Sequence, residues 1–175
     1  RKGGIYGQSP FGLAKALDID QDDAAAFIES YFREYSGVER FFNDTLNQCS
    51  QDGYVSTVLG RRRPVQGVRP PDKRDGSRFR NLPERIAVNT VIQGSAADLI
   101  KQAMVRIYRS MASQQVQSRM LLQIHDELVF EVPQEERQLM IGLVETEMIS
   151  AGEHLNVPLV VDITMGSDWG SCEPL

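Results

Sequence analysis

The stretch "MLLQIHDELVFEV", residues 120–132, places two adjacent carboxylic acids between two apolar segments. Asp126 and Glu127 follow His125, and the segments on either side are rich in the residues that β-strands prefer. Neighbouring carboxylates repel each other, and a divalent cation removes that penalty. Mg²⁺ binds one or two carboxylates and completes its octahedral shell with water and phosphate oxygens. The pattern therefore predicts a magnesium site for phosphoryl transfer at the tip of a hairpin.

Two other interpretations of this stretch were weighed. A turn of solvated charge is the commoner use of such a tripeptide, and it remains open. A metal phosphohydrolase also uses a His-Asp pair, but its site needs several more histidines, and only His154 remains in this sequence. We therefore exclude the phosphohydrolase. An Asp126 carboxylate turned inward against an arginine would argue against any metal site.

A second set of polar residues lies at helical spacing in "ERIAVNTVIQGSAADLIK". Arg85, Asn89 and Gln93 are four residues apart, so they stack along one face while the apolar residues between them point elsewhere. All three side chains carry N–H donors, and the DNA minor groove offers acceptors common to every base pair. This polar stripe, formed by Arg85, Asn89 and Gln93, predicts contact with a DNA duplex that does not depend on the base sequence. The alternative is an ordinary exposed helix face.

The charge of the chain is unevenly distributed along the sequence. The net charge is −5, yet residues 60–85 carry nine basic and three acidic side chains, so this segment is +6 and the rest is −11. In "GRRRPV", the side chains of Arg61, Arg62 and Arg63 point alternately to opposite sides if the run is extended. At least one of them should therefore face the same surface as the basic loop and be available to bind phosphates. A basic patch on an acidic body favours nucleic-acid binding, with a solvated loop as the alternative.

The first third of the chain has the pattern of three helices and a strand. Ser9 and Pro10 predict a short helix to about Leu17, and Asp20 predicts the cap of a second helix. A third helix is predicted over residues 38–50, followed by an alternating strand over residues 54–60.

The remaining elements are predicted from the same kinds of signal. Residues 64–80 are rich in proline, glycine and basic side chains and should form an exposed loop. Helix should resume near Asn81, break at Gly94 and restart with Ser95 as its cap. A hairpin around His125 then follows. An amphipathic helix over residues 134–154 and a final strand over residues 158–166 complete the prediction.

These elements predict an α+β fold, with a helical portion and a small antiparallel sheet packed against helices. A doubly wound parallel sheet fits less well because strands and helices do not alternate. At 175 residues the length suits a single domain. The sequence has no apolar run of membrane-spanning length and no apolar secretion signal at its start, so we expect a soluble intracellular protein. Cys49 and Cys172 lack metal-type spacing and are expected to be unpaired thiols.

Four segments together resemble family A DNA polymerases of the bacterial DNA polymerase I type, in the order that the family carries them. "IYGQSPFGLAKAL" resembles the end of the fingers helix, "GYVSTVLGRRR" the return to the palm, "ERIAVNTVIQGSAADLIK" the helix along the primer-template minor groove, and "QIHDELVFEV" the palm hairpin. The match covers residues 4–169. The resemblance implies that residues 1–82 are part of the fingers and residues 83–175 the C-terminal part of the palm.

The resemblance also implies roles for individual residues. Asp126 and Glu127 would be catalytic and bind Mg²⁺, and His125 would lie near the primer end. Arg85, Asn89 and Gln93 would contact the duplex, together with Arg61 and Arg62. Tyr6 would stack in the position of the nascent base pair. The implied partners are primer-template DNA and a dNTP, and the implied protein is a monomeric, cytoplasmic, nucleoid-associated enzyme of DNA replication and repair without a membrane partner.

This sequence also departs from the family. The palm motif "DYSQIE", which carries the second catalytic aspartate, is not found, and "RKGG" before Ile5 does not fit the Arg, Lys and Phe pattern of the fingers helix. Thumb and exonuclease segments are not found either. We therefore expect a polymerase fragment that is inactive by itself. The alternatives are a nucleic-acid-binding module that uses no metal, and a folded scaffold with little affinity for nucleic acid.

Overall fold

The structure is a computed structural model, and it describes residues 9–70 and 81–175. Helices dominate it, with short antiparallel strand pairs between them, which confirms the predicted α+β class. The main elements are α1 (Pro10–Leu17), α2 (Gln21–Glu34), α3 (Ser36–Asp52), β1 (Tyr54–Ser56), β2 (Arg62–Pro64), α4 (Leu82–Gln114), β3 (Arg119–Ile124), β4 (Glu127–Glu131), α5 (Arg137–Ser150), β5 (Thr164–Met165) and β6 (Glu173–Pro174). The chain divides into two compact units, Arg1–Ser95 and Ala96–Leu175, here called the N-terminal and C-terminal units.

The helix starts of the N-terminal unit follow the predicted caps. The Ser9 hydroxyl accepts a hydrogen bond from the Gly12 amide, and the Asp20 carboxylate accepts one from the Asp22 amide. Each side chain satisfies an amide that has no partner inside its own helix. The core of the unit is built around Phe42, which is almost fully buried and packs edge-on against Phe32.

The segment after α3 departs from the predicted single strand. The chain leaves an extended conformation after Ser56, turns, and pairs back as β2, with Val55 opposite Arg63. Thr57 closes the turn because its amide donates to the Arg61 carbonyl and its hydroxyl accepts from the Arg61 amide. Gly60 supplies the left-handed conformation that the turn needs, with φ of 82°. The predicted strand over residues 54–60 is therefore wrong beyond Ser56.

The break predicted at Gly94 is also wrong, because α4 runs through it without interruption. A β-carbon on Gly94 would lie 2.8 Å from the Thr57 methyl carbon, so the glycine allows the turn of the β1–β2 hairpin to approach the helix. Ser95 is not a helix cap. Its hydroxyl donates to the Val91 carbonyl and accepts from the Val58 amide, which fastens the same turn to α4.

In the C-terminal unit, β3 and β4 form the predicted hairpin, which packs on a core that includes Ile107 of α4 and Met140 of α5. The last predicted helix begins with a 3-10 turn, Gln134–Glu136, and continues as α5. The predicted final strand is wrong except at Thr164–Met165, which pairs with Glu173–Pro174. Val160, within the predicted strand, is largely exposed, so no buried face holds this segment in a sheet.

Both cysteines are free thiols, as predicted. Cys49 is buried in the N-terminal core, where burial and the Asp52 carboxylate raise the pKa of its thiol. Across the described residues, 9–70 and 81–175, no helix is long and apolar enough to cross a membrane.

Candidate nucleic-acid and metal site

The β3–β4 hairpin presents the predicted acidic residues at its closed end. Ile124 and Glu127 are the last paired residues, so the turn consists of His125 and Asp126 alone. The predicted tip also included Glu127, which is instead the first residue of β4. His125 has φ of 54°. A positive φ at the first of the two turn residues is typical of the type II′ hairpin turn, which usually has glycine at that position.

Asp126 and Glu127 are both exposed. In the described part of the chain, neither carboxylate has a hydrogen-bond or ion-pair partner, so no arginine neutralises Asp126. Two exposed carboxylates fit the donors that Mg²⁺ takes from a protein when water and substrate oxygens fill its other positions. No cluster of three or more histidine, cysteine or acidic side chains able to hold a metal occurs among those residues. Two carboxylates are fewer ligands than a metal site made entirely by protein side chains needs.

The opposite end of the hairpin is held by Glu136, which precedes α5. Its carboxylate accepts hydrogen bonds from the Gln117 amide at 2.7 Å, the Ser118 amide at 2.9 Å and the Ser118 hydroxyl at 2.6 Å. The Gln117 amide, followed by the Ser118 hydroxyl, lowers the pKa of Glu136 because these bonds favour the charged form. The carboxylate thus ties the start of β3 to the start of α5.

The predicted stripe lies on the part of α4 that belongs to the N-terminal unit. Arg85 and Gln93 are exposed and Asn89 is half-buried, whereas Ala87 and Val88 are buried in the core. At about 100° of rotation per residue, the middle of the stripe lies roughly 150° around the helix from these two core residues. The three N–H-bearing side chains therefore share a face directed away from the core, as the spacing predicted.

The β1–β2 hairpin lies against the same helix and brings Arg63 to it. The Arg63 guanidinium donates to the Thr90 hydroxyl at 2.9 Å, one residue from Asn89. Arg62 is exposed and stacks over the Tyr54 ring with 4.7 Å from its guanidinium carbon to the ring centroid. Arg61 is exposed in the turn. Arg63 thus lies beside the polar stripe in the N-terminal unit.

Two features of this surface were not predicted from the sequence. The sequence predicts a helix break at Gly94, because a glycine in a helical pattern signals either a break or a close approach, and the structure shows the close approach of the β1–β2 hairpin. The second feature is the start of α4. Asn81 and Glu84 form a reciprocal capping box there, and Arg69 binds the same Glu84 carboxylate. The Asn-x-x-Glu spacing was the sequence signal for it.

Tyr6 lies outside the described residues, as do residues 71–80 of the basic loop. The hairpin turn with Asp126 belongs to the C-terminal unit, and the stripe with the arginine-bearing hairpin belongs to the N-terminal unit.

Comparison with known proteins adds independent information. Residues 3–171 match the model of DNA polymerase family A. The chain is 42% identical over 165 residues to a DNA polymerase I of Bacillus caldotenax and 43% identical over 166 residues to one of Mycobacterium leprae. These alignments cover 94% and 95% of this chain and 18% of each relative, so the chain spans about a fifth of the length of these relatives.

A solved structure is also similar to this chain. The POL domain of Pol1 from M. smegmatis, in complex with DNA primer-template and dNTP, has a TM-score of 0.79 and 41% sequence identity. The similarity covers 89% of this chain and 27% of that one.

Proposed function

The chain belongs to DNA polymerase family A, and from that premise we propose that it is part of a DNA-directed DNA polymerase. The reaction is template-directed nucleotidyl transfer. The primer 3′-hydroxyl loses its proton and its oxygen attacks the α-phosphate of a dNTP, while the bond to the bridging oxygen of the leaving pyrophosphate breaks. The relatives named DNA polymerase I, and a similar structure that contains primer-template and dNTP, support this proposal.

The proposal assigns the catalytic role to Asp126, with Glu127 beside it, as the residues that would hold Mg²⁺. When bound, the ion supplies charge neutralisation for the reacting phosphates. The exposure of both carboxylates and the position of Asp126 in a two-residue turn support the assignment. A short turn on a packed hairpin restricts where the carboxylate can move, and restricted geometry is what in-line phosphoryl transfer requires.

The proposal assigns DNA contacts to the N-terminal unit. Arg85, Asn89 and Gln93 lie along the minor groove near the insertion site, and Arg61 and Arg62 bind backbone phosphates. Support comes from the polar face of α4 and from the β1–β2 hairpin that lies against it. The further assignments are His125 near the primer end, Tyr6 in the nascent base-pair position, residues 1–82 in the fingers and residues 83–175 in the palm.

The observation that carries the proposal is the exposed, unneutralised Asp126 at the tip of a family A hairpin. In the full-length protein, Asp126→Ala should lower kcat for primer extension by about a thousand-fold, because several kcal/mol of metal-dependent stabilisation are lost. The Kd for primer-template should change little. Glu131→Ala, which removes an exposed acid elsewhere on β4, is the matched control and should keep activity.

The second candidate is a nucleic-acid-binding module that uses no metal, and the polar stripe with Arg63 beside it favours this candidate. The same variants separate the two candidates. If the full-length protein extends primers equally well with Asp126→Ala, the carboxylate has no catalytic part and the polymerase assignment of this hairpin is wrong. If Asp126→Ala instead abolishes duplex binding, the carboxylate is structural.

The setting that this function implies is a monomeric, cytoplasmic, nucleoid-associated enzyme of replication and repair with Mg²⁺ as cofactor. Light scattering of the purified full-length protein, alone and with primer-template, tests the monomer. A mass of two chains would contradict it.

A further inference from the structure

The turn of the β3–β4 hairpin has a conformation that its two residue types do not select. His125 has φ of 54°, whereas Asp126 is not among the residues with a positive φ in the part of the chain that the structure describes. A positive φ at the first central residue alone identifies a type II′ turn, in which glycine usually occupies that position. In a type I′ turn both central residues have a left-handed φ, which histidine and aspartate adopt more often than most residues. A further interaction must therefore favour type II′ over type I′ here.

The side chain of Gln123 contacts the peptide group that distinguishes these two turns. Its Nε2 donates a hydrogen bond to the His125 carbonyl oxygen. That carbonyl belongs to the peptide between the two central residues, and types I′ and II′ differ in the orientation of this peptide. The backbone of Gln123 is itself fixed, because it pairs with Leu128 beside the last pair of the hairpin. Gln123 thus holds the central peptide in the orientation of a type II′ turn.

The orientation of the central peptide determines the direction of the Asp126 carboxylate. Rotation to a type I′ turn would change the φ of Asp126 from negative to positive, and the bond from its α-carbon to its β-carbon would turn with the backbone. Aspartate tolerates the left-handed region, so this second turn is accessible to it. A carboxylate that shares a cation with a reacting phosphate must keep one direction, because small misplacements slow phosphoryl transfer. The Gln123 hydrogen bond therefore acts on the proposed metal ligand through the backbone.

We propose that Gln123 is a positioning residue for nucleotidyl transfer: its side-chain amide selects the type II′ turn and so directs the Asp126 carboxylate toward Mg²⁺. This inference rests on the proposed function, because Asp126 must bind the ion. It deepens that function by adding a residue that acts through the backbone of the turn, without contacting the ion or the DNA.

Primer extension by the full-length protein over a series of Mg²⁺ concentrations tests the proposal. Gln123→Met keeps a long unbranched side chain and removes the N–H donor. If the ion binds the type II′ form, fewer molecules are then competent, and the Mg²⁺ concentration at half-maximal rate should rise by about two- to five-fold. At saturating Mg²⁺ the kcat should recover, because the bound ion selects the competent turn. An unchanged Mg²⁺ dependence, or a kcat that stays low at saturating Mg²⁺, overturns the proposal.

Gln138→Met is the matched control, since it removes the same amide group from an exposed position on α5. It should leave the Mg²⁺ dependence unchanged, and an equal shift in both variants would overturn the proposal. The Kd for primer-template, measured by fluorescence anisotropy, should be the same for the Gln123→Met variant and the unmodified protein. A higher Kd would show that Gln123 contacts the DNA directly, which also overturns the positioning role.

A glycine background tests whether Gln123 acts through the turn. Glycine is the residue that type II′ turns favour at the position of His125, so with His125→Gly the turn depends less on the Gln123 hydrogen bond. Adding Gln123→Met to His125→Gly should therefore shift the Mg²⁺ dependence less than Gln123→Met does in the unmodified protein. Each shift is measured against its own background, because His125 is itself assigned to the primer end. Shifts of equal size in the two backgrounds would overturn the proposal.

The variant Asp126→Ala separates a failure of this inference from a failure of the proposed function. If Asp126→Ala abolishes primer extension while Gln123→Met leaves the Mg²⁺ dependence unchanged, the positioning role is wrong and the proposed function stands. If the Asp126→Ala variant extends primers normally, the proposed function of the hairpin is wrong, and the positioning role fails with it.

Discussion

His125 has a positive φ in the turn of the β3–β4 hairpin. Its φ of 54° lies in a region that is uncommon for residues other than glycine; asparagine, aspartate and histidine enter it more often than most, and β-branched residues are outliers there. The neighbouring Gln123 side chain donates to the His125 carbonyl, which helps to hold this conformation. Strain of this kind persists where the surroundings fix the backbone, and here it lies next to the proposed metal-binding Asp126.

The strain predicts an order of stability among substitutions at His125. The variant His125→Val should be less stable than His125→Asn by about 1–2 kcal/mol, because asparagine tolerates the left-handed region and a β-branched residue does not. Denaturant unfolding of both variants measures the difference. Leu122, which is exposed in β3 and has no side-chain hydrogen bond to the turn, is the control position. At the control position, the valine variant should be more stable than the asparagine variant, because strands favour valine. The same order of stability at both positions would contradict the prediction.

Glu136 predicts a pH dependence of stability. Its pKa is lowered in the folded protein, so its hydrogen bonds stabilise the fold fully above the ordinary glutamate pKa of 4.5, and this stabilisation is lost as the pH falls through the lower, folded value. Glu136→Gln should therefore lower stability at pH 7 and flatten the decline of stability below about pH 4.5. Denaturant unfolding at pH 7 and pH 3 measures both effects.

The neighbouring Glu135 provides the control for this prediction. It is exposed in the same 3-10 turn and holds neither the Gln117 nor the Ser118 amide. Glu135→Gln should leave the pH profile close to that of the unmodified protein. Parallel profiles for the protein and its Glu136→Gln variant would mean that the carboxylate does not anchor β3.

At the scale of elements, the contact between the β1–β2 hairpin and α4 decides the shape of the proposed DNA surface. The hairpin turn approaches the helix at Gly94, Ser95 bonds the Val58 amide, and Arg63 bonds Thr90. These contacts place Arg63 beside the polar stripe. Without them the stripe would be an ordinary polar helix face.

Gly94→Ala should test this contact. The added carbon would lie 2.8 Å from the methyl carbon of the buried Thr57, so the hairpin must shift, and overpacking of this kind costs about 1–3 kcal/mol. In a Thr57→Ser background the methyl is gone and the hydroxyl that accepts from the Arg61 amide is kept. The same substitution should there be neutral or stabilising by up to about 1 kcal/mol, the helix preference of alanine over glycine.

A double-mutant cycle in denaturant measures the coupling between the two positions. Gly142→Ala on α5, where an added carbon meets no atom within 4 Å, is the control and should stabilise in either background. Equal effects of Gly94→Ala with and without the Thr57 methyl would show that the close approach is not what selects glycine.

At the scale of the whole molecule, the two units differ in charge. The N-terminal unit has fourteen basic and twelve acidic side chains, a net charge of +2, and the C-terminal unit has five and twelve, a net charge of −7. A polyanion is therefore attracted to the first unit, whereas the second repels it unless cations are bound. This division of charge is what a protein needs if one unit holds DNA and the other supplies carboxylates for Mg²⁺.

We predict that the 175 residues, purified alone, do not extend a primer. The aspartate of the motif "DYSQIE" is not among them, and two-metal catalysis needs carboxylates from two strands. Binding of primer-template should be weak, salt-sensitive and stronger with Mg²⁺, as measured by anisotropy. Template-directed extension by these residues alone would contradict the prediction, and so would affinity that does not change with salt.

The features that the sequence alone determined depend on neighbouring residues. The caps at Ser9 and Asp20, the stripe at four-residue spacing and the two strands around His125 each use groups only a few residues apart, so their patterns are complete within a short window. The order of the family's motifs was equally visible, because it is a property of the chain rather than of its folding.

The tertiary structure decided the features that depend on residues far apart in the chain. Gly94 lies inside α4 and allows the close approach of Thr57, which is thirty-seven residues earlier in the chain. The chain after Ser56 folds back because its turn is fastened to α4, and most of residues 158–166 stays out of the sheet because no packed face holds it. Arg69 is one of nine basic residues in the segment 60–85, and only the fold shows that its Nε bonds to the buried Glu84 carboxylate. A contact between distant residues forms when burial and hydrogen bonding outweigh the loss of chain entropy, and no local pattern records that balance.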